Sequence, residues 1–221
     1  MEDIEKIIGY EFKDKKLLKV ALTHSSFAHK FGKHNNERLE LLGDSILGFI
    51  VADFLLKNFE DNEGVLTKMR SSLVSCDFLS KIITKNNLHE YILASPESLK
   101  NGDNVKGDFF EALLGAIYLD SDIEVCKNFV YRILNLNLKT AKSVFNSSKD
   151  FKTLLQEKVQ AEKKTMEYKL LNVSGEENAK VFEMELVIDG EVISSAKASS
   201  KQKAENQAAK IAIEKFDKNN I

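Results

Sequence analysis

Apolar residues recur every three or four positions from Met1 to about Leu138, as they do along packed helices. The region contains one proline, Pro96, and no sustained alternation of apolar and polar residues. The pattern therefore predicts an all-α helical bundle. Between Lys139 and Lys149 the pattern fades into the small and polar stretch KTAKSVFNSSK, where we expect a linker.

After the linker the helical spacing returns for one short segment and is then replaced by strand spacing. Asp150 is placed to cap a helix whose apolar positions are Phe151, Leu154, Leu155 and Val159. A first strand is expected from Met166 to Val173. A period of two then marks a second strand, with its alternate residues at Phe182, Met184, Leu186 and Ile188.

The end of the chain completes this second pattern. Asp189-Gly190 is a hairpin signal, and the segment from Glu191 to Ala198 should return as the next strand. A last helix should begin near Ser199 or Ser200, since Ser199 and Gln202 have capping-box spacing, and its inner stripe is Ala204, Ala208 and Ile211. The predicted order is α-β-β-β-α.

Composition places the chain among globular proteins and excludes several classes. It has 221 residues, 43% of them hydrophobic and 30% charged, and a formal net charge of -2. The apolar runs are shorter than the roughly 20 residues of a membrane span, and the acidic start MEDIEK is unlike a signal peptide, so we expect a cytoplasmic protein with no membrane partner.

Cys76 and Cys126 lack disulfide or zinc spacing and are expected as reduced, partly buried thiols. A net negative charge means that any nucleic-acid site must be a local patch.

One stretch, NERLELLGDSIL, sets acidic residues among leucines and isoleucines. On a helix its Glu37, Glu40 and Asp44 fall within about 60° of one another. A second stretch, GDFFEALLGAIYLD, repeats the arrangement with Asp108 and Glu111, on a helix that is apolar nearly all round, as buried helices are.

Acidic residues at helical spacing most often form a solvated helix face. Around Glu40, Asp44, Asp108 and Glu111, however, the neighbours are mostly Leu, Ile, Phe, Ala and Gly, so some of these carboxylates should be drawn into the bundle. Buried carboxylates take up protons unless a cation compensates their charge. Oxygen ligands without nearby His or Cys favour Mg²⁺ or Mn²⁺, and such ions suit phosphodiester hydrolysis. The lack of a Glu-x-x-His motif argues against a di-iron bundle.

The stretch NERLELLGDSIL closely resembles the signature of the ribonuclease III family. Three further segments agree in the same order, namely ALTHSS, EGVLTKMRSSLV and GDFFEALLGAIYLD, so the resemblance covers essentially the whole chain. It implies an all-α ribonuclease III catalytic and dimerisation domain at 1–142, a linker at 143–149, and a small α+β double-stranded RNA-binding domain at 150–221.

The resemblance also implies an activity. Members of the family are Mg²⁺-dependent endonucleases, with Mn²⁺ as a substitute, and work as homodimers in which two centres each cut one strand of double-stranded RNA. The products carry 5′-phosphate and 3′-hydroxyl ends with a short 3′ overhang. Processing of ribosomal RNA precursors and the processing or decay of messenger and other structured RNAs are the roles that this implies.

The resemblance also implies roles for individual residues, from their positions in the matching motifs. Glu40, Asp44, Asp108 and Glu111 match the family's metal-binding acids, with Asp44 and Glu111 as the catalytic pair and Glu111 the least dispensable. Glu37 and Glu63 match acids that line the catalytic valley and the subunit interface. In the RNA-binding domain, the matching RNA contacts are Gln156, Asn178, Lys201 and Lys203.

The chain departs from the family pattern at a few positions. Leu41 stands where many members carry an aromatic residue that enters the partner subunit, and Asn178 stands where histidine is usual. Gln202 interrupts the basic run at the start of the last helix, and Ala196 and Ala198 replace the usual glycines before that helix. We expect these changes to affect dimer packing and RNA affinity, whereas none touches the four proposed metal ligands.

Two other functions compete with the nuclease. One is a non-catalytic double-stranded RNA-binding or ribosome-associated protein of the same fold, which should have lost ligand acids that this chain keeps. The other is a carboxylate-bundle metalloenzyme acting on small molecules, which the C-terminal RNA-binding pattern disfavours. His24 is interpreted as a structural histidine, and nothing around Ser25 and Ser26 supports a serine nucleophile.

Overall fold

A computed structural model describes residues 2–31, 34–147, 151–175 and 180–219. The chain divides into two compact units, residues 1–148 and 149–221, which are described separately. The first unit consists of α1 (Glu2–Ile8), α2 (Lys15–Ala21), α3 (Ser25–Phe31), α4 (Glu37–Asn58), α5 (Glu63–Leu73), α6 (Cys76–Lys85), α7 (Asp103–Asp120), α8 (Ile123–Ile133) and α9 (Leu138–Ser147), with two short 3-10 turns between α6 and α7. The predicted helical bundle is confirmed.

Helix α7 forms the centre of the first unit. From residue 106 to residue 117 every position is buried except Asp108 and Glu111, which are half-buried. Phe109 and Phe110 are fully buried, and each such side chain contributes roughly 1.5–3 kcal/mol to the free energy of folding. The helix is therefore apolar all round, as predicted, and its two carboxylates interrupt an otherwise continuous core.

Helix α4 packs against α7 so closely that the backbones touch. Gly43 faces α7 where a Cβ atom would overlap the backbone carbonyl oxygen of Glu111, and Gly115 faces α4 where a Cβ atom would overlap the carbonyl oxygen of Leu39. Any larger residue would push the helices apart. These two glycines set the distance between the helix that carries Glu40 and the helix that carries Asp108 and Glu111.

A backbone junction connects the start of α3 with two distant segments. The N–H of His24 donates to the carbonyl oxygen of Leu93 at 3.0 Å, and the N–H of Leu93 donates to that of Leu22 at 2.8 Å. The N–H of Asn36 donates to the carbonyl oxygen of Thr23 at 3.0 Å. The junction therefore holds His24 beside the first residues of α4.

The second unit has the predicted order, α10 (Phe151–Ala161), β1 (Met166–Ser174), β2 (Val181–Ile188), β3 (Glu191–Ala198) and α11 (Lys201–Asn219). The strands form an antiparallel sheet in the order β1-β2-β3. Asp189 and Gly190 join β2 to β3 with φ values of 49° and 84°, the positive pair that a type I′ hairpin turn requires. The core is formed by one face of the sheet and both helices, through Leu155, Val159, Leu186, Ile188, Ala196, Ala208, Ala209 and Ala212.

Several local predictions need correction or lie beyond the described residues. Residues 143–147 of the expected linker belong to α9, since their apolar positions Val144 and Phe145 pack against the core of the first unit. The domain boundaries taken from the sequence remain predictions.

In the second unit, Ser200 and not Ser199 caps α11, because its Oγ accepts the N–H of Lys203 at 3.3 Å. Leu154 is exposed, and the proposed cap Asp150 is outside the described residues.

Among the described residues, no helix combines the length and the apolarity that crossing a bilayer requires. Both cysteines are free thiols, as expected. Cys126 is buried. Cys76, the first residue of α6, is exposed as a residue and not partly buried as predicted, although one side of its thiol lies against Gly107.

Candidate metal centre

Three half-buried carboxylates converge where α4 crosses α7. Glu40 lies on α4, and Asp108 and Glu111 lie one turn apart on α7. One carboxylate oxygen from each lies within 4.8 Å of the others, close enough for all three to reach a single cation. The close approach at Gly43 and Gly115 brings these residues together from positions about 70 apart in the chain.

Burial and mutual repulsion both disfavour the ionised form of these groups. Burial, followed by the charges of Asp44, Asp108 and Glu40, raises the pKa of Glu111 to about 8. Burial and the charges of Asp108, Glu37 and Asp44 raise the pKa of Glu40. Burial raises the pKa of Asp108, and the charge of His24 partly opposes that rise.

The donor set fits a hard divalent cation. Among the described residues, no lysine or arginine contributes to the electrostatics of Glu40, Asp108 or Glu111, and the charge of His24 acts on Asp108 alone, so most of the negative charge of the cluster is uncompensated. The cluster offers carboxylate oxygens only. Mg²⁺ and Mn²⁺ prefer such ligands, whereas zinc and copper sites usually contain His or Cys.

Two further acids of the predicted site lie around this cluster without joining it. Asp44 is exposed and is not among the three residues that converge, although its charge raises the pKa of both Glu40 and Glu111. Glu37 is exposed one turn before Glu40, and its charge also raises the pKa of Glu40. Asp44 and Glu37 therefore add negative potential on the solvent-exposed side of the cluster.

Glu63 lies elsewhere, at the first position of α5. Its carboxylate accepts a hydrogen bond from Thr67 Oγ1 at 2.8 Å. It lines a surface cavity of about 540 Å³ between α4 and α5, together with Leu55, Leu56 and Arg70. The structure therefore separates Glu63 from the three converging acids.

The predicted RNA-binding residues of the second unit are on its surface where they are described. Gln156 is exposed on α10, and Lys201 and Lys203 are exposed in the first turn of α11. Gln202, between the two lysines, is exposed as well. Asn178 lies outside the described residues.

Sequence reasoning missed two groups beside the cluster. His24 is close enough to Asp108 for its charge to lower the pKa of that carboxyl, and the segment ALTHSS was the available signal. The Cys76 thiol packs against Gly107, where a Cβ atom would lie 3.2 Å from the sulfur, and burial with the charges of Asp108 and Glu111 raises its pKa. No sequence pattern connects Cys76 with α7.

Comparison with known proteins adds independent findings. The Ribonuclease-III-like family model matches residues 14–138, and the model of the double-stranded RNA binding motif matches residues 151–216. The chain is similar to ribonuclease 3 of a Nitratiruptor species, with 40% identity over 96% of this chain and 95% of that protein. It is equally similar to ribonuclease 3 of Campylobacter jejuni, with 40% identity over 98% of this chain and 97% of that protein.

A solved structure agrees with these sequence relatives. The first unit resembles the nuclease domain of ribonuclease III from Campylobacter jejuni, with 38% identity and a TM-score of 0.58. The match covers 62% of this chain and 98% of that domain.

The raised pKa of Glu111 predicts how pH affects the metal-free protein. Between its ordinary value of 4.5 and about 8, folded Glu111 keeps a proton that the unfolded chain has lost. Because the native state binds more protons in this window, the free energy of unfolding should fall as pH rises through it. Glu111→Gln, which cannot ionise, should show a smaller fall.

Thermal unfolding in the presence of a chelator, at a series of pH values across this window, measures the effect. Glu124→Gln is the matched control, because Glu124 is 72% exposed on α8 and its charge does not contribute to the pKa shifts of Glu40, Asp108 or Glu111. It should keep the native slope. A Glu111→Gln protein whose midpoint falls as steeply as that of the native protein would show that Glu111 titrates normally.

Proposed function

This chain belongs to the ribonuclease III family of endoribonucleases acting on double-stranded RNA, and we propose that its cleavage depends on Mg²⁺ bound by Glu40, Asp108 and Glu111. The observation that carries the proposal is the convergence of these three carboxylates at the crossing of α4 and α7, where no lysine or arginine of the described residues acts on their pKa values. Mn²⁺ should substitute for Mg²⁺, because both ions accept a site made of oxygen ligands.

The chemistry divides between the ion and the chain. A bound Mg²⁺ or Mn²⁺ supplies an acidified water and stabilises charge on the phosphate oxygens. The chain supplies the ligands and a partly desolvated pocket, in which Glu111 is the most buried carboxylate of the set. Asp44 is exposed, and its charge acts on Glu111. Its proposed role is to orient a water molecule at the site or to accept a proton from it.

The outer face of α4 supports a homodimer. Leu41, Phe49 and Leu56 are 74%, 57% and 75% exposed, and they fall within about 80° on the helix. A row of large apolar side chains on one exposed face is typical of a protein interface. Gly48 lies in the same row with nothing within 4 Å of an added Cβ atom, so the face has room for a second helix.

Two further observations fit this interface. The cavity lined by Glu63 is also lined by Leu56 of this row, which supports the proposed role of Glu63 as an interface acid. For the Campylobacter jejuni nuclease domain, structural flexibility has been described in a region involved in dimer formation. In a homodimer joined through α4, two centres would each cut one strand, leaving 5′-phosphate and 3′-hydroxyl ends with a short 3′ overhang.

The second unit is proposed to hold the substrate. Double-stranded RNA-binding domains recognise the A-form shape through minor-groove 2′-hydroxyls and the phosphates between them. Gln156 and Asn178 are the proposed minor-groove contacts. Lys201 and Lys203 occupy the N-terminal turn of α11, where the helix dipole adds to their attraction for phosphate. Cytoplasmic processing of ribosomal precursors and of structured messages is the role we propose.

Cleavage of a long, fully paired RNA tests the catalytic proposal. The native protein should cut it with Mg²⁺ or Mn²⁺ and should stop when the ion is chelated. Glu111→Gln should bind the duplex normally in a gel-shift assay and cut it at least about 100-fold more slowly, since even residues that only support metal ligands typically cost 10–100-fold. Glu124→Gln should cut at the native rate. Native protein that binds duplex RNA but never cuts it with either ion would favour the non-catalytic RNA-binding alternative.

Solution mass tests the homodimer. Phe49→Asp places a charge in the centre of the exposed row on α4 and should convert the dimer to a monomer with impaired cleavage. Leu138→Asp is the control, because Leu138 is a comparably exposed apolar residue, 48% exposed, on α9. Light scattering with size-exclusion chromatography should report a dimer for the native protein and for the control. A native protein that is monomeric while it cuts both strands would contradict the proposal.

A further inference from the structure

The side chain of Asn36 is buried at the start of α4 and makes no hydrogen bond within the part of the chain that the structure describes. Asparagine is common before a helix because its side chain accepts an N–H of the first turn. Here the backbone of Asn36 is itself helical, with φ -85° and ψ -9°, and no such cap bond forms. The usual reason for asparagine at a helix start is therefore absent.

An amide without a hydrogen bond is unfavourable in a packed interface. Asn36 is only 3% exposed, yet neither polar atom of its amide is sealed from solvent. The surface that remains therefore includes the amide, which borders a narrow space that water can enter. Such a group indicates a ligand or an ordered water molecule that completes its hydrogen bonds.

The position of Asn36 in α4 directs it towards α7. It lies seven residues before Gly43, which is about two helical turns, so the two residues share the helix face that meets α7. Asp108 likewise lies seven residues before Gly115, on the face of α7 that meets α4. Each of the two polar residues is therefore two turns before the glycine at the contact on its own helix.

The converging acids lie on the same side of this contact. Glu40, Asp108 and Glu111 each precede the contact glycine of their own helix, and one carboxylate oxygen from each lies within 4.8 Å of the others. The N-terminal parts of the two helices therefore approach each other. Asn36 is one turn beyond Glu40 on this side, and its carbonyl oxygen accepts the N–H of Glu40 at 2.9 Å.

We propose that Asn36 is a further positioning residue of the metal centre, whose side-chain amide hydrogen-bonds a water molecule carried by the bound cation. The inference rests on the proposed metal-dependent function. Mg²⁺ keeps several waters when carboxylates bind it, and residues in the outer shell of a metal site commonly tune its affinity. An amide suits this position because it binds water as donor or acceptor and adds no charge to the cluster.

A purely structural role can be separated from this one with leucine, which has the same number and branching of side-chain heavy atoms as asparagine. Asn36→Leu removes an amide that has no partner among the described residues, so the metal-free protein should unfold at the native temperature or above it. The Kd for Mn²⁺ should nevertheless rise roughly tenfold. A residue that only starts the helix or fills space should not lose metal affinity while stability is kept.

Binding of Mn²⁺ alone to the RNA-free protein is measured from the electron paramagnetic resonance signal of free Mn²⁺, and thermal unfolding is measured with a chelator present. In Asn36→Leu the Mg²⁺ concentration for half-maximal cleavage should rise in the same proportion as the Kd, while binding of duplex RNA stays native. Asn128→Leu is the matched control, because Asn128 is exposed on α8, and it should leave every readout unchanged.

Asn36→Asp is the second variant and keeps an oxygen atom at the same place. A carboxylate beside the cation should lower the Kd for Mn²⁺ by at least about threefold, because its charge attracts the cation at short range. A residue remote from the cation would leave the Kd unchanged. This variant decides the question if Asn36→Leu does not fold.

Native Mn²⁺ affinity in either folded variant would overturn the inference, and so would weaker binding in Asn36→Leu that is accompanied by a lower unfolding temperature. Native protein that binds Mn²⁺ and cuts RNA in these experiments confines such a failure to Asn36. Native protein that binds no Mn²⁺ would refute the metal centre itself and this inference with it.

Discussion

The contact between α4 and α7 is the constraint on which the rest of the first unit depends. Two glycines, Gly43 and Gly115, allow the backbones to touch, and each fits a space where a methyl group would overlap a carbonyl oxygen of the facing helix. Because the helices are this close, carboxylates on both can reach one cation. The geometry of the site is therefore set by the smallest side chains in the interface and not by the acids themselves.

The same contact creates an electrostatic cost that the fold alone does not relieve. Glu40, Asp108 and Glu111 are drawn into an apolar interface, and the pKa of each is raised. A structure built only for stability would place apolar residues at these positions, because unpaired buried carboxylates destabilise a core. The two acids of α7 lie in a stretch, 106 to 117, whose other residues are all buried, and this supports the proposal that a cation completes the site.

Much of this arrangement could be predicted from local patterns. The apolar period and the spacing of the acids predicted two helices with their carboxylates on defined faces, and the change to a period of two predicted the strands of the second unit. The three acids of α4 were expected to share one face because they lie within about 60° on the helix, with Glu40 and Asp44 as the metal ligands among them. Only Glu40 enters the cluster, since α7 covers one edge of that face and leaves Glu37 and Asp44 exposed.

What could not be predicted depends on long-range contacts. His24 is near enough to Asp108 to lower the pKa of that carboxyl, in a region where backbone hydrogen bonds join Thr23 to Asn36 and His24 to Leu93. The helical extent of α9 depends on Val144 and Phe145 finding the core of the first unit, in a stretch whose composition is typical of a linker. Composition and spacing describe a residue's own helix or strand, and they contain no information about which distant segment packs beside it.

The central claim is that the three converging carboxylates hold a divalent cation. A crystal of the native protein grown with Mn²⁺, and measured where manganese scatters anomalously, tests it most directly. The account predicts an anomalous peak within about 2.3 Å of one carboxylate oxygen from each of Glu40, Asp108 and Glu111, a distance set by the usual metal–oxygen bond. A well-diffracting crystal with manganese bound elsewhere on the chain and no peak among these three residues would contradict it.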